Sequence, residues 1–193
     1  MGAPKEVEIK FRISDIPSLS RRLRSAKFRL ITPRTHELNV LYDWPGQILR
    51  KQGELLRLRK YGNLWIFTHK AKSVLGKHKS RIENETKVVD GQRMDMILRA
   101  MGLKPTFRYE KFRAEWSDGK GHVVVDETPI GNFGEIEGPP RWIDSTASQL
   151  GVSRADYITL SYAPLFLAWK KQTGSPAREM TFSETKKRKR SGI

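Results

Sequence analysis

Cysteine is absent from the 193-residue chain. Disulfides, thiol nucleophiles and thiolate metal sites are therefore excluded, and a reducing cytoplasm is the expected setting. No stretch approaches the roughly 18 consecutive apolar residues that a membrane helix requires. The N-terminal MGAPKEVEIK has no apolar signal-peptide core. There is no GxxxxGK(S/T) loop, no GxGxxG and no HExxH, so three familiar nucleotide and metal sites lack their anchors. The four histidines, His36, His69, His78 and His122, are scattered without zinc-ligand spacing. Acids are scarce too: 21 against 37 bases leave a formal charge of +16. Part of that excess sits in KKRKR at 186–190, but the body is basic in its own right, which suggests an anionic partner.

What is present is alternation. In KEVEIKFRI (Lys5–Ile13), Val7, Ile9, Phe11 and Ile13 alternate with Glu6, Glu8, Lys10 and Arg12, which predicts a strand with one apolar and one charged face. A helix follows over 15–26, with Asp15 as N-cap and Pro17 in the first turn. Three strands come next, at His36–Asp43, Glu54–Lys60 and Leu64–Lys70, with Gly62 and Asn63 turning between the last two. The second half repeats the order: a strand at Ser80–Val89, a helix over 90–101 capped by Asp90, and strands at Phe107–Trp116, His122–Glu127 and Asn132–Glu137. The architecture reads βαβββ twice. Pro139 and Pro140 open a further helix to Leu150, and a helical region over 155–171 is expected to be divided at Pro164, with Ser161 as a fresh cap. Its stripe of Tyr157, Tyr162, Phe166 and Trp169 reads as packing on a sheet. We expect one folded unit over 1–173 and a basic, disordered tail over 174–193.

The charged faces recur in phase. Bases fall at Lys10, Arg12, Arg57, Arg59, Lys70, Arg81, Lys111 and Arg113. Acids fall at Glu6, Glu8, Glu83, Glu85, Glu115, Asp126, Glu135 and Glu137. An open sheet with one wet face would also alternate in this way. Eight antiparallel strands, however, tend to curl until their edges meet. With helices covering the apolar faces outside, the charges would then line the interior. Burying that many charges only to pair them stabilises poorly, because desolvation offsets the attraction. A lining of this kind is better explained by a charged ligand. Clustered carboxylates suit a hard divalent cation, and the bases suit phosphates.

Glu6-x-Glu8-x-Lys10 resembles the ExExK signature of the CYTH superfamily, the triphosphate tunnel metalloenzymes. The resemblance continues in order through LRLR (Arg57, Arg59), the Thr68-x-Lys70 pair, RIENE (Arg81, Glu83, Glu85), RYEKFR (Lys111, Arg113) and VDETPIGNFGEIE (Asp126, Glu135, Glu137). It spans Lys5 to Trp169. His69 departs from the aromatic residue often found there, and the basic tail is not a family feature. The resemblance implies an α+β fold, an eight-stranded antiparallel β-barrel forming a tunnel with helices packed outside. It implies Mg²⁺ or Mn²⁺ held by Glu6, Glu8, Asp126, Glu135 and Glu137. Phosphate would be bound by Lys10, Arg57, Arg59, Lys70, Arg81, Lys111 and Arg113, with Lys10, Glu8, Lys70 and Arg113 closest to catalysis.

Two reactions fit such a site. One is hydrolysis of the terminal anhydride of inorganic triphosphate, thiamine triphosphate or a nucleoside triphosphate. The other is cyclisation of ATP to cyclic AMP and pyrophosphate, as in the class IV adenylate cyclases of the same superfamily. Hydrolysis is preferred because it asks less of the site. A non-catalytic polyphosphate or nucleic-acid binder is the remaining alternative, supported by the charge and by KKRKR. No nucleic-acid-binding motif accompanies that charge, so contact with nucleic acid is expected only from the tail and without specificity. The expected partner is a small-molecule triphosphate, not a membrane, and the chain is expected to be a monomer or homodimer.

Overall fold

The computed structural model describes residues 5–74 and 76–186. Its strands are β1 (Lys5–Ile13), β2 (Arg29–Asp43), β3 (Leu55–Tyr61), β4 (Leu64–Lys70), β5 (Lys79–Val88), β6 (Lys104–Ser117), β7 (His122–Thr128) and β8 (Gly131–Glu137). They close into one antiparallel barrel in the order β1-β5-β4-β3-β2-β6-β7-β8. The helices are α1 (Ile16–Ser25), α2 (Ile48–Gln52), α3 (Gly91–Ala100), α4 (Pro140–Gln149), α5 (Tyr162–Thr173) and α6 (Phe182–Lys186). This is the expected α+β barrel. None of the helices among the described residues is long and apolar enough to cross a membrane.

The apolar faces point outward, under helices. Ile9 and Phe11 of β1, Val123 and Val125 of β7 and Ile136 of β8 pack against Leu19 and Leu23 of α1 and Ile143 and Ala147 of α4. Each fully buried aliphatic side chain of this kind contributes about 1.5–3 kcal/mol. The fit is close at Gly134, where an added Cβ would lie 2.1 Å from the Phe11 ring, so β8 needs a glycine under that ring. A second cluster lies on the inward face instead, where Tyr109 and Phe133 meet α5; a third, outside, places Leu98 of α3 near Tyr42 and Leu58.

Several expectations need correction. Strand β2 begins at Arg29, not His36, because register shifts around Thr32 absorb Pro33 and break the alternation. The short helix α2 was not expected. It forms because the Asp43 carboxylate accepts from the Leu49 and Arg50 amides at 2.9 and 3.0 Å. Pro164 does not divide a helix: α5 starts at Tyr162, which puts Pro164 in the first turn, where its missing N–H costs nothing. Arg12, counted in the lining, is exposed, with its guanidinium over the Phe133 ring.

The chain after Gly174 is not a disordered tail as far as Lys186. Ala177 and Met180 are buried, and α6 follows. The rest of KKRKR lies outside the described residues. Two seams of the barrel explain the packing. One rim of the barrel, here the upper, holds Lys5 and Glu137, and the opposite or lower rim holds Ile13, Asp43 and Lys104, the far ends of β1, β2 and β6. Strand β1 pairs with β5 only from Lys5 to Glu8; below that, Lys10 exchanges backbone hydrogen bonds of 3.0 and 2.7 Å with Ile158. Strand β6 outruns β7 below Phe112, and its edge takes up Met180 through two 3.0 Å bonds, to Arg108 O and from Glu110 N. Met180→Ala is therefore expected to lose about 2–5 kcal/mol of stability. Its urea midpoint checks this; an unchanged midpoint would mean the segment does not dock.

Candidate active site

Strand alternation carries the charged faces inward. Glu8, Lys10, Arg57, Lys70, Lys111 and Asp126 are all buried, and Arg59, Arg81, Arg113, Glu6 and Glu135 are partly so. Glu137 lies at the upper rim and is exposed. The barrel thus brings the expected residues together around one interior, although only some of them touch.

On one wall, Asp126 is fully enclosed. It accepts from Lys111 at 2.9 Å, from Arg113 Nε and Nη2 at 2.7 and 2.6 Å, and from the Tyr162 hydroxyl at 2.6 Å. Burial raises the Tyr162 pKa well above the ordinary phenol, with Asp126 adding to it, so this hydroxyl remains a donor. Glu135 pairs with Lys10 and, at 2.6 Å, with Arg113 Nη2. Burial alone would raise the Glu135 carboxyl, but Lys10 and Arg113 hold it well below the usual range.

On the opposite wall, Glu6 accepts from Lys70 at 2.8 Å and from Arg81 at 3.0 Å. Glu8 accepts from Lys79 at 2.7 Å. Glu83 holds Lys70 at 2.7 Å, while Glu85 holds Arg59 at 2.7 Å. Arg57 Nη2 reaches Thr68 Oγ1 at 3.2 Å. Yet the Nε groups of both Arg57 and Arg59 are buried without a hydrogen-bond acceptor. Two orphaned guanidinium donors inside a barrel are an anion site in waiting.

Four interior positions were missed or misplaced at the sequence level. Glu37 is fully buried, within 3.5–3.9 Å of Lys111, Arg59 and Arg113. Asn39 donates to it at 2.8 Å. Both alternate on β2, but no base beside them in the sequence marked the face as charged. Lys79, expected in a loop, is the first residue of β5 and in phase with Arg81. Tyr162, expected as packing, also reaches the polar interior, with Lys10 4.5 Å and Lys111 4.9 Å from its ring centroid.

Glu37 gives a pH prediction. Burial would raise its carboxyl, but Lys111, Arg113, Arg59 and Arg57 drive it far below the ordinary value. A depressed folded pKa contributes stability that is complete above the unfolded value, about 4.3, and is lost as pH falls below it. Glu37→Gln is expected to cost about 3–5 kcal/mol at neutral pH by leaving buried cations uncompensated. Part of the acid-limb fall in melting temperature should disappear with it. Parallel wild-type and variant curves below about pH 4 would contradict this.

The donor chemistry fits a hard divalent cation. Glu8 and Glu137 are direct cross-strand neighbours. The Glu137 carboxyl is pushed up to about 7, by burial and then by Glu6 and Glu8. Glu137 makes no salt bridge among the described residues, so positive charge is short at this rim. Among those residues no group of three or more carboxylates or imidazoles is gathered as a ready-made metal cage. Asp126 and Glu135 are saturated by bases.

Comparison with known proteins gives three kinds of similarity. Residues 4–162 match the CYTH domain family. The chain is 26% identical over 175 residues to the adenylate cyclase CyaB of Aeromonas hydrophila, covering 83% of this chain and 87% of that one. Among solved structures, a putative adenylate cyclase from Vibrio parahaemolyticus superposes with a TM-score of 0.77 at 20% identity, covering 86% of this chain and 99% of the other. The Hippeastrum protein HpAC1, a putative adenylyl cyclase described as having a dominant triphosphatase activity, gives 0.62 at 19% identity, covering 84% and 95%. At these identities the two structures establish the shared fold.

Proposed function

This chain belongs to the CYTH domain family, and on that premise we propose that it is a divalent-metal-dependent enzyme that hydrolyses the terminal phosphoanhydride of a triphosphate inside its barrel. The observation that carries the reading is the pair of buried, acceptor-less Nε donors on Arg57 and Arg59, set among further cations. A triphosphate brings about four negative charges and many acceptor oxygens, and catalysis of its transfer is mostly positioning and charge neutralisation.

In this reading Arg57 and Arg59 bind phosphate oxygens through their planar forks, and Lys10, Lys70, Lys111 and Arg113 add charge along the chain. Glu83 and Glu85 hold Lys70, Arg57 and Arg59 in place, and Asp126, Glu135 and Glu37 do the same for Lys111, Lys10 and Arg113. Arg81 orients Glu6. Glu6, Glu8 and Glu137 would hold Mg²⁺ or Mn²⁺, with Glu6 giving up Lys70 or Arg81 and Glu8 giving up Lys79; Asp126 and Glu135 would likewise have to release their bases to join them. The metal, when bound, supplies charge neutralisation and lowers the pKa of a bound water. In this proposal the tunnel unit runs from Lys5 to Thr173, braced by the docked segment up to Lys186, and the protein works in the cytoplasm.

Cyclisation of ATP is the second reading, favoured by the printed name of the Aeromonas relative. Incubation with Mg²⁺ and either ATP or tripolyphosphate separates the two. Orthophosphate is the expected product; cyclic AMP with pyrophosphate would replace hydrolysis by cyclisation, and salt-sensitive binding with no product would leave only a binder.

A further inference from the structure

The barrel lining changes character toward the lower rim. Leu41 is the direct cross-strand neighbour of Arg57 on one side and of Phe107 on the other. Leu55 pairs with Lys70 in the same way. The inward face therefore passes within one residue step from groups that grip phosphate to groups that cannot. Those side chains, with Leu160, Phe166 and Leu167 from the region of α5, enclose a chamber of about 620 Å³. That volume falls in the range of small-molecule sites. Lys79 and Arg81 line it as well, so it is continuous with the phosphate-binding interior.

Inorganic triphosphate has no use for such a surface, because apolar walls offer its oxygens nothing and remove their water. The walls suit a flat, uncharged ring. The charge around the chamber narrows the choice further. Its two acids are already engaged: Asp43 accepts from the Leu49 and Arg50 amides, and Glu54 pairs with His69 at 2.9 Å. Arg50, Lys72, Lys170 and Arg178 also line the chamber. A head group carrying positive charge, such as a thiazolium, would be repelled there. We propose that this chamber seats the neutral heterocyclic base of a nucleoside triphosphate, whose phosphates extend past Lys79 and Arg81 to Arg57 and Lys70. The inference rests on the triphosphate reading above and adds the class of substrate to it.

The test uses the full-length protein with Mg²⁺, measuring both binding and turnover of ATP, tripolyphosphate and thiamine triphosphate. Leu160 and Leu167 are 47% and 52% exposed, so neither is needed for folding, and melting curves of the variants check that. ATP is expected to bind more tightly than the other two. Leu160→Glu and Leu167→Trp, one charging the chamber and one filling it, should each weaken ATP by roughly tenfold or more and leave tripolyphosphate within about twofold. Equal losses for ATP and tripolyphosphate, no loss for ATP, or tighter binding of thiamine triphosphate would overturn the chamber and spare the catalytic reading. ATP-selective binding without turnover of any of the three would sink catalysis and uphold the chamber. Binding of none would sink both.

Discussion

Glu8→Gln is expected to lower turnover of Mg²⁺-tripolyphosphate by about 100-fold or more. It should also raise the Mg²⁺ concentration needed for half-maximal rate. Glu8 stays ionised although burial opposes it, because Lys10 and Lys79 outweigh that burial and the repulsion from Glu135 and Glu6. Its cross-strand neighbour is Glu137, and Glu6 lies two residues away on the same face. Removing one charge from this group removes a ligand that a hard cation would bind through oxygen. Glutamine keeps the shape and can still accept from Lys79, so stability should fall by only about 1–3 kcal/mol. A metal titration read beside a melting curve separates the two effects. Unchanged turnover at unchanged Mg²⁺ would take Glu8 out of the metal set.

Arg57→Lys is the second large effect. The substitution preserves charge and discards the planar fork, including the buried Nε that has no acceptor within the protein. If that donor meets a phosphate oxygen, kcat/KM should fall by about 10²–10³, the range seen when one preorganised donor to a reacting oxygen is lost. Structural damage is limited, since a lysine ammonium can still serve Glu83 and Glu85, which lie 3.5 and 3.4 Å from Arg57 Nη2. The distinguishing readout is the donor count: Arg59→Lys should give a comparable loss, and the double variant should lose less than the product of the two, because both contact one anion. Activity within about threefold of wild type in either single variant would remove the orphaned donors from the mechanism.

The order of elements along the chain and the inward direction of the charges were legible because alternation is local and repeated on every strand; the order of strands around the barrel was not read from it. The set that ExExK, LRLR and EIE mark is found facing the interior. Glu37 was not legible. A single acid between His36 and Leu38 looks the same whether it faces water or four cations, and only barrel closure decides which. Lys79 was hidden by the loop residues before it, and Tyr162 by the aromatic stripe on its own helix. Docking of Ala177 and Met180 was invisible for another reason. It depends on β6 being longer than β7, a difference in length between two strands that neither sequence segment contains alone.

The two seams also bear on how the protein is made. Strand β1 leaves the ribosome first, yet its partners are β8, β5 and Ile158, and the free edge of β6 waits for Met180. Contacts so distant along the chain fold slowly. Nascent chains stalled before residue 180 would leave the lower edge of β6 bare, an open template for pairing with another chain.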